Sequence, residues 1–243
     1  MICFLGPLDP FPPVEQARED MGGLLAAGGG LHPERLLDAY RQGIFPWGTV
    51  EGHPLWYSPD PRMVLFPEEF RLTRSLRKTL RAGKLEVRFD TDFPSIMDAC
   101  AATPRAGQDG TWITPEMKAA YIRLHELGWA HSVESYEGGR LVGGLYGLAI
   151  GRMFYGESMF SHRTDASKVA FAHLIAYLLD NQFGMIDCQM YTDHLASLGG
   201  REVPRDLFLG RLSALTVAPA ADAKGAENSQ RTVWPKDRQI LDW

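Results

Sequence analysis

Between Ala130 and Gln189 the hydrophobic pattern leaves few architectures open. Ala130–Tyr136, Leu141–Ala149 and Met153–Glu157 read as strands, separated by the turn signals Glu137-Gly138-Gly139 and Ile150-Gly151. Connections this short make an antiparallel meander. A long apolar segment follows, about 166–181, with Val169, Ala172, Leu174, Leu178 and Leu179. Thr164 or Asp165 is placed to cap it and Gly184 to end it, so it reads as a helix. Met185–Gln189 is then a short apolar strand. A meander, a long apolar helix and a further strand predict an α+β arrangement: a mixed, largely antiparallel sheet flanked by helices.

Polar groups interrupt this apolar frame at two places, Gly156-Glu157-Ser158-Met159-Phe160-Ser161 and Asp187-Cys188-Gln189-Met190. Burying an unpaired carboxylate costs far more than burying a hydroxyl, so Glu157 and Asp187 need partners or a task. Two readings stand: a small-molecule site with apolar walls and a few convergent polar groups, or a buried network that holds sheet to helix. For Glu157 the second reading means a salt bridge to Arg152 or Arg163. Asp187 and Gln189 are at i and i+2, which on a regular strand puts both side chains on one face.

Ahead of the meander, residues 8–30 are rich in Pro and Gly and read as irregular, turn-dominated chain. His32-Pro33 opens a helix to about Gln42. Ile44–Gly48 and Leu55–Arg62 read as aromatic-proline corners, and Met63–Phe66 as a strand. A small first domain ends near residue 64. Leu85–Phe89 is a strand, Phe93–Ala102 a helix, Pro104–Thr111 a loop, and Thr114-Pro115 opens a helix to about Leu127. Beyond Gln189, Thr192 or Asp193 caps a short helix and residues 204–212 form another. Residues 216–230 are rich in Ala, Asn, Ser and Gly and predict disorder; residues 231–243 carry Trp234 and Trp243 and are candidates to dock back.

Composition removes several classes. No run of 18 apolar residues is present, so no membrane span is expected. The start lacks the basic and long apolar regions of a signal peptide. Cys3, Cys100 and Cys188 form no CxxC, which fits a reducing cytoplasm. The seven His make no HExxH and no cluster, so no metal is expected. The net charge of −5 argues against bulk nucleic-acid binding. Residues 71–84 run the other way, with six basic residues and no acid. Leu72, Leu76 and Leu80 make one helical stripe. Thr73 is placed to cap it and Gly83 to stop it. Arg74, Arg77, Lys78 and Arg81 crowd the other side, a fit for a polyanion.

The order of elements resembles the acetyl-CoA-dependent acyltransferases. Their phosphate-cradling signature has one near match, Arg140-Leu-Val-Gly143-Gly144-Leu145, inside the meander with no helix after it. A related fold without a CoA site, and no cofactor, is the expectation. No Walker A, GxSxG or contextual GxGxxG occurs.

Five ordered motifs carry a more specific resemblance: Tyr40-Arg-Gln-Gly43-Ile-Phe-Pro-Trp47, Trp56-Tyr-Ser-Pro-Asp-Pro61-Arg62, Thr111-Trp112-Ile-Thr-Pro115, Gly156-Glu-Ser-Met-Phe-Ser161, and Asp187-Cys-Gln-Met190 with His194-Leu-Ala-Ser-Leu-Gly199. Together they resemble the leucyl/phenylalanyl-tRNA–protein transferase family over residues 3–215. The resemblance implies a small N-terminal domain (1–64), an acetyltransferase-like domain (65–215), and a tail (216–243) outside the family pattern. It implies a cytoplasmic monomer that moves Leu or Phe, and Met less well, from aminoacyl-tRNA to proteins beginning with Arg or Lys. Asp187 and Gln189 would be the catalytic pair, Asp187 orienting Gln189 and the Gln189 amide contacting the attacking amine, as a proton relay or purely by position. Glu157 would face the acceptor peptide. Met159, with Ile186 and Leu145, would line the aminoacyl side-chain pocket. Trp112 would stack on the terminal adenosine, Trp47 and Trp56 would either border the same site or pack within their corners, and Arg74, Arg77, Lys78 and Arg81 would hold the acceptor stem. A CoA-dependent N-acyltransferase and a non-catalytic reader of basic N-termini are the alternatives.

Overall fold

A computed structural model describes residues 2–103, 111–216 and 234. The first part of the chain forms β1 (Cys3–Leu5), β2 (Leu24–Gly28), α1 (Pro33–Arg41), β3 (Phe45–Val50), β4 (His53–Tyr57) and β5 (Arg62–Leu65). The middle forms α2 (Arg74–Ala82), β6 (Glu86–Phe89), α3 (Phe93–Ala102), α4 (Pro115–Glu126), β7 (Ala130–Glu137), β8 (Arg140–Ile150) and β9 (Met153–Ser161). Then come α5 (Ala166–Asp180), β10 (Met185–Gln189), α6 (Asp193–Ser197), β11 (Arg201–Val203) and α7 (Arg205–Thr216).

Two mixed sheets result. The small one has the order β1-β2-β4-β3, and the large one β11-β5-β10-β9-β8-β7-β6. The meander β7-β8-β9 is antiparallel as its turns dictate. In the large sheet the parallel junction is β9 with β10, because α5 carries the chain back over the sheet between them. Helix α5 is apolar on nearly every side, and it packs across β7 and β8. Its cap differs from the expectation. Asp165 is left-handed, with φ 64°, and its carboxylate accepts from Thr79 and Lys168 instead of the helix N–H groups. The caps by Thr73, Thr114 and Thr192 do form.

The core divides at the large sheet. One face packs on α5 through Val133, Leu145, Phe154, Leu174 and Ile186. The other joins α3, α4 and the small sheet in one cluster that includes Tyr40, Trp56, Tyr121 and Tyr146.

Two readings of the first half need correction, and a third observation bears on the domain division. Leu24–Gly28 is a fully buried strand, not irregular chain; its apolar run outweighs the glycines around it. The two aromatic-proline corners are the hairpin β3-β4, whose register slips between Pro46 and Thr49 to accommodate Pro46. Strand β5 lies across the expected boundary at residue 64 and pairs with β10 and β11 of the large sheet. Most of the loop expected at Pro104–Thr111, and most of the tail, lie outside the described residues. Of the tail, Thr216 and Trp234 are described, and both are buried. Among the described residues no helix is long and apolar enough to cross a membrane.

Candidate active site

Two β-bulges sit at one level on neighbouring strands. On β9, Ser158 pairs with Tyr146 and Gly156 with Gly147, which leaves Glu157 as the extra residue. On β10, Asp187 pairs with Val64 and Gln189 with Met63, which leaves Cys188 extra. The parallel pairing of β9 with β10 ends at Tyr155 and Asp187. Beyond that point the strands part, and the bulges turn side chains into the gap. Gly147 makes the close approach possible, since a Cβ there would lie 2.1 Å from the Tyr155 carbonyl oxygen.

The bulge changes the reading of Asp187 and Gln189. Gln189 is left-handed, with φ 57°, so the simple alternation of a strand fails between them. Ile186, Cys188 and Gln189 line the cavity. Asp187 turns away from it and is fully buried. Its two oxygens accept from Arg62 Nε and Nη2, both at 2.8 Å. The Arg62 guanidinium lies between the rings of Phe45 and Phe208, at 4.7 and 4.6 Å. Asp187 does hold Gln189, but through the main chain: Oδ1 accepts the Gln189 N–H at 2.9 Å. The Gln189 side-chain amide donates instead to Glu157 Oε1 at 3.3 Å.

Glu157 is half-buried at the cavity wall. Its partners are two tyrosines, not Arg152 or Arg163. Tyr40, from α1, donates to Oε1 at 2.6 Å, and Tyr121, from α4, donates to Oε2 at 3.0 Å. The two hydroxyls also touch each other. Arg163 pairs with Glu137 at 3.2 Å. Desolvation pushes the Glu157 carboxyl up to about 7, against the pull of the two hydroxyl donors. Burial and the Glu157 charge hold both tyrosines well above the ordinary range. Burial also pushes the Cys188 thiol up, so it is an inert wall residue.

The cavity encloses about 330 Å³. Its apolar end is made by Leu145, Phe154, Met159, Phe171, Leu174 and Ile186. Its polar end carries Glu157 and Gln189, with Phe45, Trp47 and Trp112 beside them. The lining thus joins apolar walls to a carboxylate and an amide, the usual make-up of a small-molecule site.

Residues 64–213 match the family described as leucyl/phenylalanyl-tRNA protein transferase, and residues 29–60 match the N-terminal domain of that family. The chain belongs to the leucyl/phenylalanyl-tRNA–protein transferase family. It is similar to the transferase of that name from Dechloromonas aromatica (strain RCB), 78% identical over 237 residues, 98% of this chain and 97% of the relative. It is also similar to that of Chromobacterium violaceum, 58% identical over 91% of this chain and 95% of the relative. Members of this family are aminoacyltransferases that use aminoacyl-tRNA and a protein acceptor.

In this transferase the structure brings Glu157, Gln189, Met159, Ile186, Leu145, Trp47 and Trp112 to one cavity. It excludes Trp56, which is fully buried, packs edge-on against Phe11 and donates its indole N–H to Gly28 O at 2.8 Å. A ring spent inside the small sheet has no face left for a base. On α2, Leu76 is buried, Leu80 packs partly against the core together with Leu72 ahead of the helix, and Arg74, Arg77, Lys78 and Arg81 are exposed. Sequence reasoning gave no role to Arg62, Tyr40 or Tyr121. Arg62 and Tyr40 stand inside the ordered motifs, and that position is the one signal the sequence offers for them. Tyr121 carried none, because its partner lies on another element.

Proposed function

We propose that this protein transfers Leu or Phe, and Met less well, from aminoacyl-tRNA to the N-terminal amine of proteins that begin with Arg or Lys, marking them for N-degron proteolysis in the cytoplasm. The observation that carries this reading is a single cavity with an apolar end beside a carboxylate and an amide, Glu157 and Gln189. The aminoacyl side chain enters the apolar end. Met159 is flexible and polarisable, so it accepts both a branched aliphatic chain and a ring. Trp112, with Trp47 beside it, offers a face to the terminal adenosine, and stacking of this kind is worth roughly 1–3 kcal/mol. Arg74, Arg77, Lys78 and Arg81 meet the acceptor-stem phosphates, which position the tRNA without reading its sequence. The monomer suffices for this arrangement.

The ester of aminoacyl-tRNA is already activated, so the residues have three tasks: to orient, to remove a proton and to steady the oxyanion. Glu157 in its ionised form holds the acceptor ammonium and takes one proton from it. The freed amine nitrogen attacks the ester carbonyl carbon. The C–N bond forms, the bond to the ribose oxygen breaks, and the nitrogen gives up its second proton to the departing ribose oxygen, leaving a neutral amide and a free hydroxyl. The Gln189 amide positions the amine; glutamine is too weak a base to deprotonate it. Asp187 and Arg62 fix the bulge that aims Gln189. The parallel β9-β10 junction, opening beyond Tyr155, supports a fold of the acetyltransferase type for residues 65–215, with 1–64 as the small domain and 216–243 as the tail. A reader of basic N-termini needs no apolar cavity beside its carboxylate, and this cavity favours transfer.

The test supplies Leu-, Phe- and Val-tRNA with peptides beginning with Arg, Lys or Gly, without ATP or CoA. Leu and Phe are expected on the Arg and Lys peptides alone. Transfer to the Gly peptide as fast as to the others would exclude selection of a basic N-terminal side chain.

A further inference from the structure

The far side of the cavity wall is made by a residue from outside the matched family domains. Trp234 lies beyond residue 213, where the family match ends. It is 9% exposed and sits in a slot lined by four rings. It stacks on His131 at 4.3 Å and 16° between planes, and on Phe154 at 6.0 Å and 16°. Tyr177 lies 4.5 Å away and Phe89 6.1 Å away. Among the described residues the indole Nε1 has no acceptor, so ring packing holds it there.

Phe154 connects this slot to the site. It lines the cavity with Leu145 and Met159, and its ring also lies against Gly147 at the bulge. One side of the ring therefore faces the apolar end and the other faces Trp234. We propose that Trp234 is a positioning residue for aminoacyl selection: by holding Phe154 flat against the cavity, it sets the depth of the apolar end, and thereby the preference between Leu and the longer Phe. This rests on the reading of the cavity as the aminoacyl side-chain pocket. Close packing transmits the constraint. Without the indole, Phe154 has an empty slot behind it to turn into, and the cavity gains depth on that side. A deeper cavity accommodates Phe with less strain and holds Leu more loosely.

The test measures kcat/KM for Phe-tRNA and Leu-tRNA, with an Arg-starting peptide, in the full-length protein and in Trp234→Ala and Trp234→Phe. The expected result is a rise of about fivefold or more in the Phe/Leu ratio for Trp234→Ala, in line with what small changes in an apolar pocket do to discrimination. Trp234→Phe keeps a ring in the slot and should lie between the two. Loss of stability alone lowers both substrates together and leaves the ratio where it was. An unchanged ratio in Trp234→Phe, together with an unchanged ratio in any active Trp234→Ala protein, overturns the proposal. Failure of the unaltered protein to transfer either amino acid would count against the reading of the cavity itself.

Discussion

Arg62 grips both carboxylate oxygens of Asp187 at 2.8 Å, and neither side chain reaches solvent. The pair lies behind the reaction centre. Its link to the cavity is the Gln189 main-chain N–H, which Asp187 accepts. Asp187 is thus a brace for the bulge, and Gln189 is the one of the two that lines the cavity.

That division predicts different outcomes for the two residues. Asp187→Ala leaves the Arg62 guanidinium buried without its partner and should destabilise by about 3–5 kcal/mol. Gln189→Ala removes a half-satisfied side chain at the cavity and should cost under about 1 kcal/mol. Urea denaturation of both variants checks this. Equal stability losses would contradict it.

Glu157 sets a pH dependence for transfer. Its carboxyl is pushed up to about 7, and in the proposed mechanism the ionised form holds and deprotonates the ammonium. kcat/KM should therefore climb with pH through about 7 and level off above it. Glu157→Gln should remove that limb and lower the plateau by about 10²–10⁴-fold. A pH–rate profile of each protein is the measurement.

Glu134 sets a pH dependence for stability. It is fully buried on β7 and accepts from Ser132 at 2.6 Å and from the N–H groups of Thr91 and Asp92 at 3.2 and 3.3 Å. Desolvation raises its carboxyl from 4.5 to about 7. The fold thus favours the protonated form. That contribution is complete below about 4.5 and is lost as pH rises through about 7. In Glu134→Gln the decline in stability between pH 5 and pH 8 should shrink by roughly 1–3 kcal/mol. Urea midpoints at the two pH values decide it.

The tryptophans should separate cleanly. Trp112→Ala is expected to raise KM for aminoacyl-tRNA by about tenfold, the loss of one stacked base, with little change in melting temperature. Trp56→Ala should instead cost about 3–5 kcal/mol of stability, because it empties the middle of the small sheet.

On α2, each of Arg74→Ala, Arg77→Ala and Lys78→Ala should weaken tRNA binding and flatten its salt dependence by about 0.9 in the log–log slope, the value for one phosphate contact on a duplex. Binding titrations at several salt concentrations test this. An unaltered slope would move the acceptor stem elsewhere.

Much of this was legible in the chain. The meander, α5 and the threonine caps follow from periodicity and local side-chain chemistry, which are short-range. Glu157 and Asp187 announced themselves as carboxylates inside apolar runs. What escaped depends on distant partners. Tyr40 and Tyr121 reach Glu157 from two helices. Trp56 reads equally as a site residue or as corner packing until β2 covers it. The register of Gln189 turns on one left-handed residue, and a glutamine gives no sign of that in sequence.

The central claim is that Gln189 and Glu157 act on the amine after tRNA has bound. Single-turnover transfer from saturating Leu-tRNA to an Arg-starting peptide at pH 8 tests it, with tRNA affinity measured in parallel. For Gln189→Ala and Glu157→Gln the rate should fall about 100-fold or more while tRNA affinity stays within about threefold. A rate within about threefold of the unaltered protein, or a fall matched by lost tRNA binding, would contradict the assignment.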